Sequence, residues 1–245
     1  MFRFLLAGIR FLLFIKISVL FILLGTVYSF FTKEKPLQIL KLRKTYIKII
    51  FIILGIKATF NNVPQKQSFI LISNHRSYLD PVIIANDVLF YALAKIEVST
   101  WPLIGVGSKL FGGFFVKRED RNSREAAAKK IMEIVQNNKI VYVCPEGTTH
   151  TEKQTIDFKP RTFINAAKHN LPIIPMAIEY EDIKDAWVGD DTFVRHFFEC
   201  FGKWNTYVSI SYGEEMRNDN WETLLKDAKT WIDAEMLVLR KEFGY

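Results

Sequence analysis

Phe69-Ile70-Leu71-Ile72-Ser73-Asn74-His75-Arg76-Ser77-Tyr78-Leu79-Asp80 decides the fold. Its first four residues form a continuous apolar run, the mark of a strand buried in a sheet. The residues after it set an imidazole, His75, and a carboxylate, Asp80, five positions apart, just past the strand's C-terminal end. Open α/β sheets place their ligands there. A neutral imidazole takes up a proton near pH 7. A carboxylate bonded to its far nitrogen fixes the tautomer and stabilises the imidazolium that forms. The pair suits activation of a hydroxyl, but a His and an Asp at this separation also arise by chance, so its weight depends on what else the chain carries.

A second chemical cluster, Val143-Cys144-Pro145-Glu146-Gly147-Thr148-Thr149, follows another strand-like run, Ile140-Val141-Tyr142-Val143. A third, Gly112-Gly113-Phe114-Phe115-Val116-Lys117-Arg118, lies between the two. A guanidinium such as that of Arg118 presents a fork of donors matched to phosphate oxygens, and Gly147 lets the backbone come close to a ligand. From Ser68 onward the pattern alternates as in α/β domains, with strands expected at 68–73, 89–93, 140–144, 173–179 and 207–212 and helices between most of them. The clearest helix is 123–137, with Ser123 as its cap and Ile131, Ile134 and Val135 as its apolar stripe. Asp219 is expected to open the last helix, with Glu222 completing a capping box and Leu224, Leu225, Ala228, Trp231 and Ile232 at core spacing.

In this order and at these distances the segments resemble the glycerolipid acyltransferase family, which includes the lysophosphatidate (PlsC-type) acyltransferases. The resemblance starts near Ser68, takes in Ala94-Lys95 and Trp101-Pro102-Leu103-Ile104-Gly105, and runs through Phe158-Lys159 to Leu171-Pro172-Ile173-Ile174-Pro175. It implies an α/β fold: a mixed β-sheet with helices on its faces, preceded by an N-terminal membrane-associated helical hairpin. Residues 1–60 would be the membrane-associated helices and residues 61–245 the acyltransferase domain. It also implies direct transfer of a fatty acyl group from acyl-CoA or acyl-ACP to a hydroxyl of a lysophospholipid, 1-acyl-sn-glycerol-3-phosphate first, with no further cofactor and no metal. The family's general base falls on His75, its orienting carboxylate on Asp80 and its phosphate-binding arginine on Arg118. Asn74, Lys117, Glu146, Gly147, Thr148, Lys159 and Arg161 fall around the substrates. The implied partners are membrane lipids, the acyl donor and the lysophospholipid acceptor, and the implied place is the cytoplasmic face of the bacterial inner membrane.

The departures bear on the acceptor. Lysophosphatidate enzymes follow the glutamate and glycine with threonine and then arginine, where this chain reads Thr148-Thr149-His150. Two residues past the lysine of Phe158-Lys159 the family has glycine, where this chain has Arg161. Either Lys159 and Arg161 supply the missing charge, or the acceptor is less charged: a lyso-ornithine (acyl-amino-acid) lipid or a glycolipid. A non-catalytic, membrane-anchored lipid-binding protein is the remaining alternative, and the intact His75, Asp80, Arg118 and Glu146 set argues against it. Cys144 stands where the family has Phe, and a covalent role for it is disfavoured because nothing nearby in sequence lowers a thiol pKa. His150 and His169 are read as structural, although His150 is near enough to Glu146 to line the acceptor pocket. The aromatic segment 193–204, with His196, is read either as a lid or membrane-facing loop or as core.

The chain of 245 residues carries a net charge of +7, and residues 1–60, with ten Lys or Arg and Glu34 alone as acid, account for +9 of it, leaving −2 for the rest. The basic character therefore belongs to the N-terminal segment, and no basic, aromatic-interleaved patch recurs beyond it to suggest nucleic acid. Residues 11–31 are apolar apart from Lys16 and a few small or polar residues, long enough for a helix that spans a bilayer or lies in one leaflet. A cleaved signal peptide is disfavoured by the length of the run and the lack of an Ala-x-Ala-like site after it. Residues 37–56, after a break at Pro36, mix Leu, Ile and Phe with Lys41, Arg43, Lys44 and Lys48, which suggests a basic amphipathic helix at an anionic surface or a helix packed on the domain. Positive charge flanks the apolar run on both sides, so it sets no orientation. Two cysteines, Cys144 and Cys200, make no disulfide framework and point to a reducing compartment.

Overall fold

The strand read from Phe69 onward, β2 (Phe69–Ser73), is buried along its whole length because its side chains alternate between two cores. Phe69 and Leu71 enter one apolar cluster, and Ile70 and Ile72 enter the other on the opposite face of the sheet. The chain is a computed structural model in which residues 2–31, 36–66 and 68–244 are described. Six further strands join β2: β1 (Ile56–Asn61), β3 (Phe90–Lys95), β4 (Gly113–Val116), β5 (Ile140–Val143), β6 (Ile173–Tyr180) and β7 (Thr206–Tyr212). They are ordered β1-β7-β6-β2-β5-β3-β4. The pairing of β6 with β7 is antiparallel and the other neighbours are parallel, so β2 to β6 run one way and β1 and β7 the other. This is the mixed sheet that was expected.

Helices cover both faces. On one lie α2 (Pro36–Leu54), α3 (Asp80–Ile84) and α7 (Phe193–Phe201), through Ile47, Ile50, Leu54, Ile83, Ile84, Phe197 and Phe201. On the other lie α5 (Arg121–Gln136), α6 (Arg161–Lys168) and α8 (Trp221–Glu242), through Ile131, Ile134, Phe163, Leu224, Ala228, Ile232 and Leu239. Truncating one of these fully buried aliphatic side chains to alanine costs about 2–5 kcal/mol. A short helix, α4 (Ile104–Leu110), leads into β4.

Two helix starts differ from expectation. Asp120 caps α5, its carboxylate accepting from the amides of Asn122 and Ser123, whereas the Ser123 hydroxyl turns back to accept from Lys117 N. Asn220 caps α8 by accepting from Thr223 N, so the Asp219–Glu222 capping box is not formed. Asparagine and aspartate are as good at the N-cap as serine. Pattern alone did not separate neighbouring candidates. Of the core positions expected in α8, Trp231 and Leu225 are only partly buried.

The N-terminal helix α1 (Phe2–Phe31) is long and apolar enough, by length and composition, to cross a membrane. It packs against α2, with Ser18 Oγ 2.7 Å from Tyr46 Oη and the Phe21 and Tyr46 rings 5.4 Å apart. The break expected at Pro36 coincides with the first residue of α2, and residues 32–35 before it lie outside the described residues. Ala7, Arg10, Ser18, Phe21 and Gly25 form the buried stripe of α1, while Phe4, Leu12, Leu23, Phe30 and Phe31 are exposed. Arg10 is the charge within that stripe. Its guanidinium donates to Phe201 O at 3.0 Å, to Lys203 O, and to Trp204 O at 2.9 Å, capping the C-terminal end of α7.

On α2, Arg43 lies 4.5 Å over the Phe90 ring and donates to Phe111 O, and Lys44 donates to Asp87 O. These two cations hold the helix to the domain, leaving Lys41 and Lys48 exposed. Residues 193–204 form a helix and its turn. His196, Phe197, Cys200 and Phe201 are buried there, against Phe11 and Phe14 of α1, so the core reading holds and the loop reading does not.

Candidate active site

The parallel strands deliver their chemistry to one edge of the sheet. At its C-terminal end β2 leads into Asn74 and His75, β4 into Lys117 and Arg118, β5 into Cys144 to Gly147, and β6 ends on Glu179 and Tyr180. A ligand at the carboxyl edge of an open sheet meets side chains from several strands at once.

His75 Nδ1 is 2.7 Å from Asp80 Oδ2. The Asp80 carboxylate is fully buried and takes three more donors: the amides of Arg76 at 2.8 Å and Ser77 at 3.0 Å, and Tyr180 Oη at 2.7 Å. It is therefore fixed on every side. With Nδ1 committed to Asp80, Nε2 is the nitrogen left to exchange a proton. Burial opposes a charge on the His75 ring. The Cys144 sulfur and the Asp80 carboxylate beside the ring outweigh it, and the histidine pKa stands well above its ordinary value.

Asn74 does not face the site. Its Nδ2 donates to Ile178 O at 2.8 Å and its Oδ1 accepts from Ile178 N at 2.9 Å, so the buried amide continues the β2–β6 pairing past the end of the strand. Glu146 is also closed off. One carboxylate oxygen accepts from His75 N at 2.6 Å, and the other meets His150 Nε2 at 2.7 Å and Ile156 N at 3.1 Å. Arg76, 2% exposed, donates to Glu179 Oε1 and to the carbonyls of His150 and Glu152, which lashes the 150–152 loop to the strand edge.

The exposed cations are elsewhere. Arg118 donates to Gly147 O, and a Cβ added to Gly147, whose φ is +75°, would lie 3.2 Å from the Arg118 guanidinium. Only glycine suits that turn. Lys159 N donates to Pro145 O at 2.9 Å, which brings Lys159 beside the same turn. Lys117, Arg118, Thr148 and Lys159 are exposed there. Arg161, two residues past Lys159, is exposed; it opens α6 and lies within electrostatic reach of Glu125 on α5.

Sequence reasoning missed Tyr180, Arg76, Glu179 and an aromatic wall. Tyr78 packs against Trp187 and Phe193 at centroid distances of 5.3 and 5.2 Å, and Trp101 against Trp187 at 5.1 Å. Trp187 N in turn donates to Arg76 O, and Thr149 donates to Trp187 O. Arg76 and Tyr78 lie inside the opening motif, and Glu179 and Tyr180 close an apolar strand, but nothing in the string marks which of them are partners. Cys144 Sγ lies 2.9 Å from Tyr142 Oη. Among the described residues no group of three or more His, Cys, Asp or Glu is placed to hold a metal ion.

By sequence the chain matches the Acyltransferase family over residues 56–179, from the first residue of β1 to Glu179. The chain belongs to the Acyltransferase family. The matched region takes in the strands that supply the candidate site as far as Glu179, and leaves outside it Tyr180 and the elements α1, α2, α7, β7 and α8. Its relatives divide in two. One is a lyso-ornithine lipid O-acyltransferase of Rhizobium meliloti, 26% identical over 194 residues, covering 70% of this chain and 65% of the relative. Another is a 1-acyl-sn-glycerol-3-phosphate acyltransferase of Haemophilus influenzae, 27% identical over 178 residues, covering 69% and 72%. The chain spans 65% and 52% of the lengths of two lyso-ornithine relatives. Among solved structures, the 1-acyl-sn-glycerophosphate (LPA) acyltransferase PlsC of Thermotoga maritima superposes with a TM-score of 0.64 over 94% of this chain and 98% of its own. At 21% identity that likeness is one of fold.

Proposed function

We propose that the protein transfers a fatty acyl group from a thioester, on coenzyme A or acyl carrier protein, to a hydroxyl of a single-chain phospholipid, with 1-acyl-sn-glycerol-3-phosphate as the first acceptor. The observation that carries this is the His75–Asp80 contact at 2.7 Å, with Nε2 of the ring left to work. In this reading Nε2 takes the proton of the acceptor hydroxyl as its oxygen attacks the thioester carbonyl. The C–O bond forms, the C–S bond breaks, and the proton passes from His75 to the departing thiolate. Arg118, with Lys117 and Lys159, holds the acceptor's anionic group, and Gly147 and Thr148 line its approach. Asn74 and Glu146 act through His75 by holding its backbone.

One observation favours a second acceptor class. Thr149, in the place where lysophosphatidate enzymes carry arginine, is uncharged and donates its hydroxyl to Trp187 O, so it adds no charge to the acceptor pocket. A lyso-ornithine lipid, the acceptor named for the Rhizobium meliloti relative, carries no phosphomonoester and needs less positive charge. The two readings separate on an acceptor panel: full-length protein with one acyl-CoA, offered lysophosphatidate, other lysophospholipids, a lyso-ornithine lipid and a lysoglycolipid. Turnover of none of them, with either donor, would sink both.

The N-terminal helices within residues 1–60 are proposed as the membrane-associated part, the exposed apolar face of α1 entering lipid at the cytoplasmic side of a bacterial inner membrane, with the sheet and the residues beyond it carrying the chemistry. Sedimentation with anionic vesicles tests it. Full-length protein that stays in the supernatant at low salt is not membrane-bound by this surface.

A further inference from the structure

His150 is bonded on every polar atom. Its Nδ1 faces two donors, Arg76 Nη1 at 3.2 Å and the Glu152 amide at 3.1 Å, so that nitrogen must be the acceptor. The ring proton therefore sits on Nε2, which donates to Glu146 Oε1 at 2.7 Å. Glu146 Oε2 accepts the amide of His75 at 2.6 Å, and His150 N reaches back to the carbonyl of His75 at 3.4 Å. Residues 75 and 150 are thus joined twice, once through a carboxylate and once directly. The carboxylate is buried, and a buried hydrogen-bonded network holds its members in one arrangement.

We propose that His150 is a positioning residue: as the Nε2–H tautomer it clamps Glu146, and through Glu146 it sets the backbone from which the His75 imidazole projects. The inference rests on the reading of His75 as the base. It assigns the residue after Thr149, itself the position where lysophosphatidate enzymes carry arginine, to holding the catalytic turn, and leaves anion binding to Arg118, Lys117 and Lys159. Arg76 completes the device. It selects the tautomer of His150 at one guanidinium nitrogen and is anchored at its others by Glu179.

The test compares full-length wild type, His150→Ala, His150→Gln and His75→Ala with one acyl-CoA and the best acceptor, measuring kcat, acceptor KM and Tm. His150→Ala is expected to lower kcat on the order of 10- to 100-fold, the range produced by displacing a catalytic group by about an ångström, with acceptor KM within about two-fold. The glutamine amide can still donate to Glu146, so His150→Gln is expected to recover most of the loss. If His150→Ala fails to fold, Glu146→Gln, which breaks one of the two links, is expected to show the same split between kcat and KM. A raised acceptor KM at unchanged kcat in His150→Ala would overturn the proposal, because the ring would then be meeting the acceptor, and so would a glutamine variant no better than alanine. Should His75→Ala remain active, the reading of the base fails. Should His75→Ala be dead while His150→Ala matches wild type, only the positioning role fails.

Discussion

Tyr180 donates its phenolic hydrogen to Asp80 Oδ1 at 2.7 Å, leaving Oδ2 to face His75. The tyrosine ends β6 and the aspartate opens α3, so the orientation of the carboxylate is fixed by a strand 100 residues away in the chain. Burial, with Asp80 and Asp185 nearby, raises the Tyr180 pKa well above its usual value, so the phenol keeps the proton it donates. Tyr180→Phe preserves the packing and removes one hydrogen bond to a buried charge, which is worth about 1.5–3 kcal/mol. A fall in unfolding free energy of that size is expected, together with a lower kcat. Denaturant unfolding that matches wild type would show that Asp80 does not need this donor.

His75→Ala should leave the fold intact and, at a pH where the ring is neutral, the melting temperature little changed, because the ring sits at a turn with its side chain 24% exposed. Loss of a general base removes on the order of 100- to 10,000-fold of rate. A variant that retained more than about a tenth of wild-type kcat would be incompatible with that assignment. Asp80→Asn should be nearly as damaging to rate. It should also lower stability, since the carboxylate accepts from four protein donors.

The pH profile has a defined sign. A base must be neutral to take a proton, and the His75 pKa is raised, so kcat/KM should climb with pH through a value above the usual 6.5. The protonated ring also stabilises the fold. That contribution is complete below the unfolded pKa and is lost as pH rises through the folded one. An ascending limb centred below 6.5 would mean that Cys144 and Asp80 do not outweigh burial at the His75 ring.

Arg118→Ala should raise acceptor KM by the loss of a charged hydrogen bond, about 1.5–3 kcal/mol, and leave the KM for the acyl donor little changed. Lys159→Ala should act in the same direction. Arg161→Gly should act less, because the electrostatic neighbour of Arg161 is Glu125 on α5, whereas Lys159 N bonds Pro145 O beside the Gly147 turn. Acceptor KM values across the three variants check the assignment, and indifference to Arg118→Ala would move the anionic group of the acceptor elsewhere.

The buried strands were legible in the sequence because each is a short apolar run that stands out from what surrounds it. β1 and β4 were not. Ile56-Lys57-Ala58-Thr59-Phe60-Asn61 is an edge strand of mixed burial that follows the apolar α2 almost without a break, and its first residue falls in the helix expected over 37–56. Gly113–Val116 is four residues long and drew notice for the cations after it. Of the candidate site, His75, Asp80 and Arg118 were expected from the family resemblance, and the structure sets His75 against Asp80 and Arg118 against Gly147. Glu146 and Asn74 could not be placed, because what they do depends on partners such as Ile178 and His75 that the fold brings to them across 104 and 71 residues. No local pattern encodes such a meeting.

Arg10 gives α1 a cargo that an anchor does not need. Gly55, at φ +70°, makes room for it: a Cβ there would lie 2.6 Å from the Arg10 guanidinium and 2.3 Å from Trp204 O. An unrelated membrane segment of the same length and hydropathy, spliced in place of α1, would still tether the chain to a bilayer, yet the carbonyls of Phe201, Lys203 and Trp204 would lose their donor. The slack would then run along α7, through Phe197 and Phe193, to Tyr78, three residues from His75. The first helix is thus not an exchangeable module, and a chimera carrying a foreign anchor is expected to bind vesicles well and catalyse poorly.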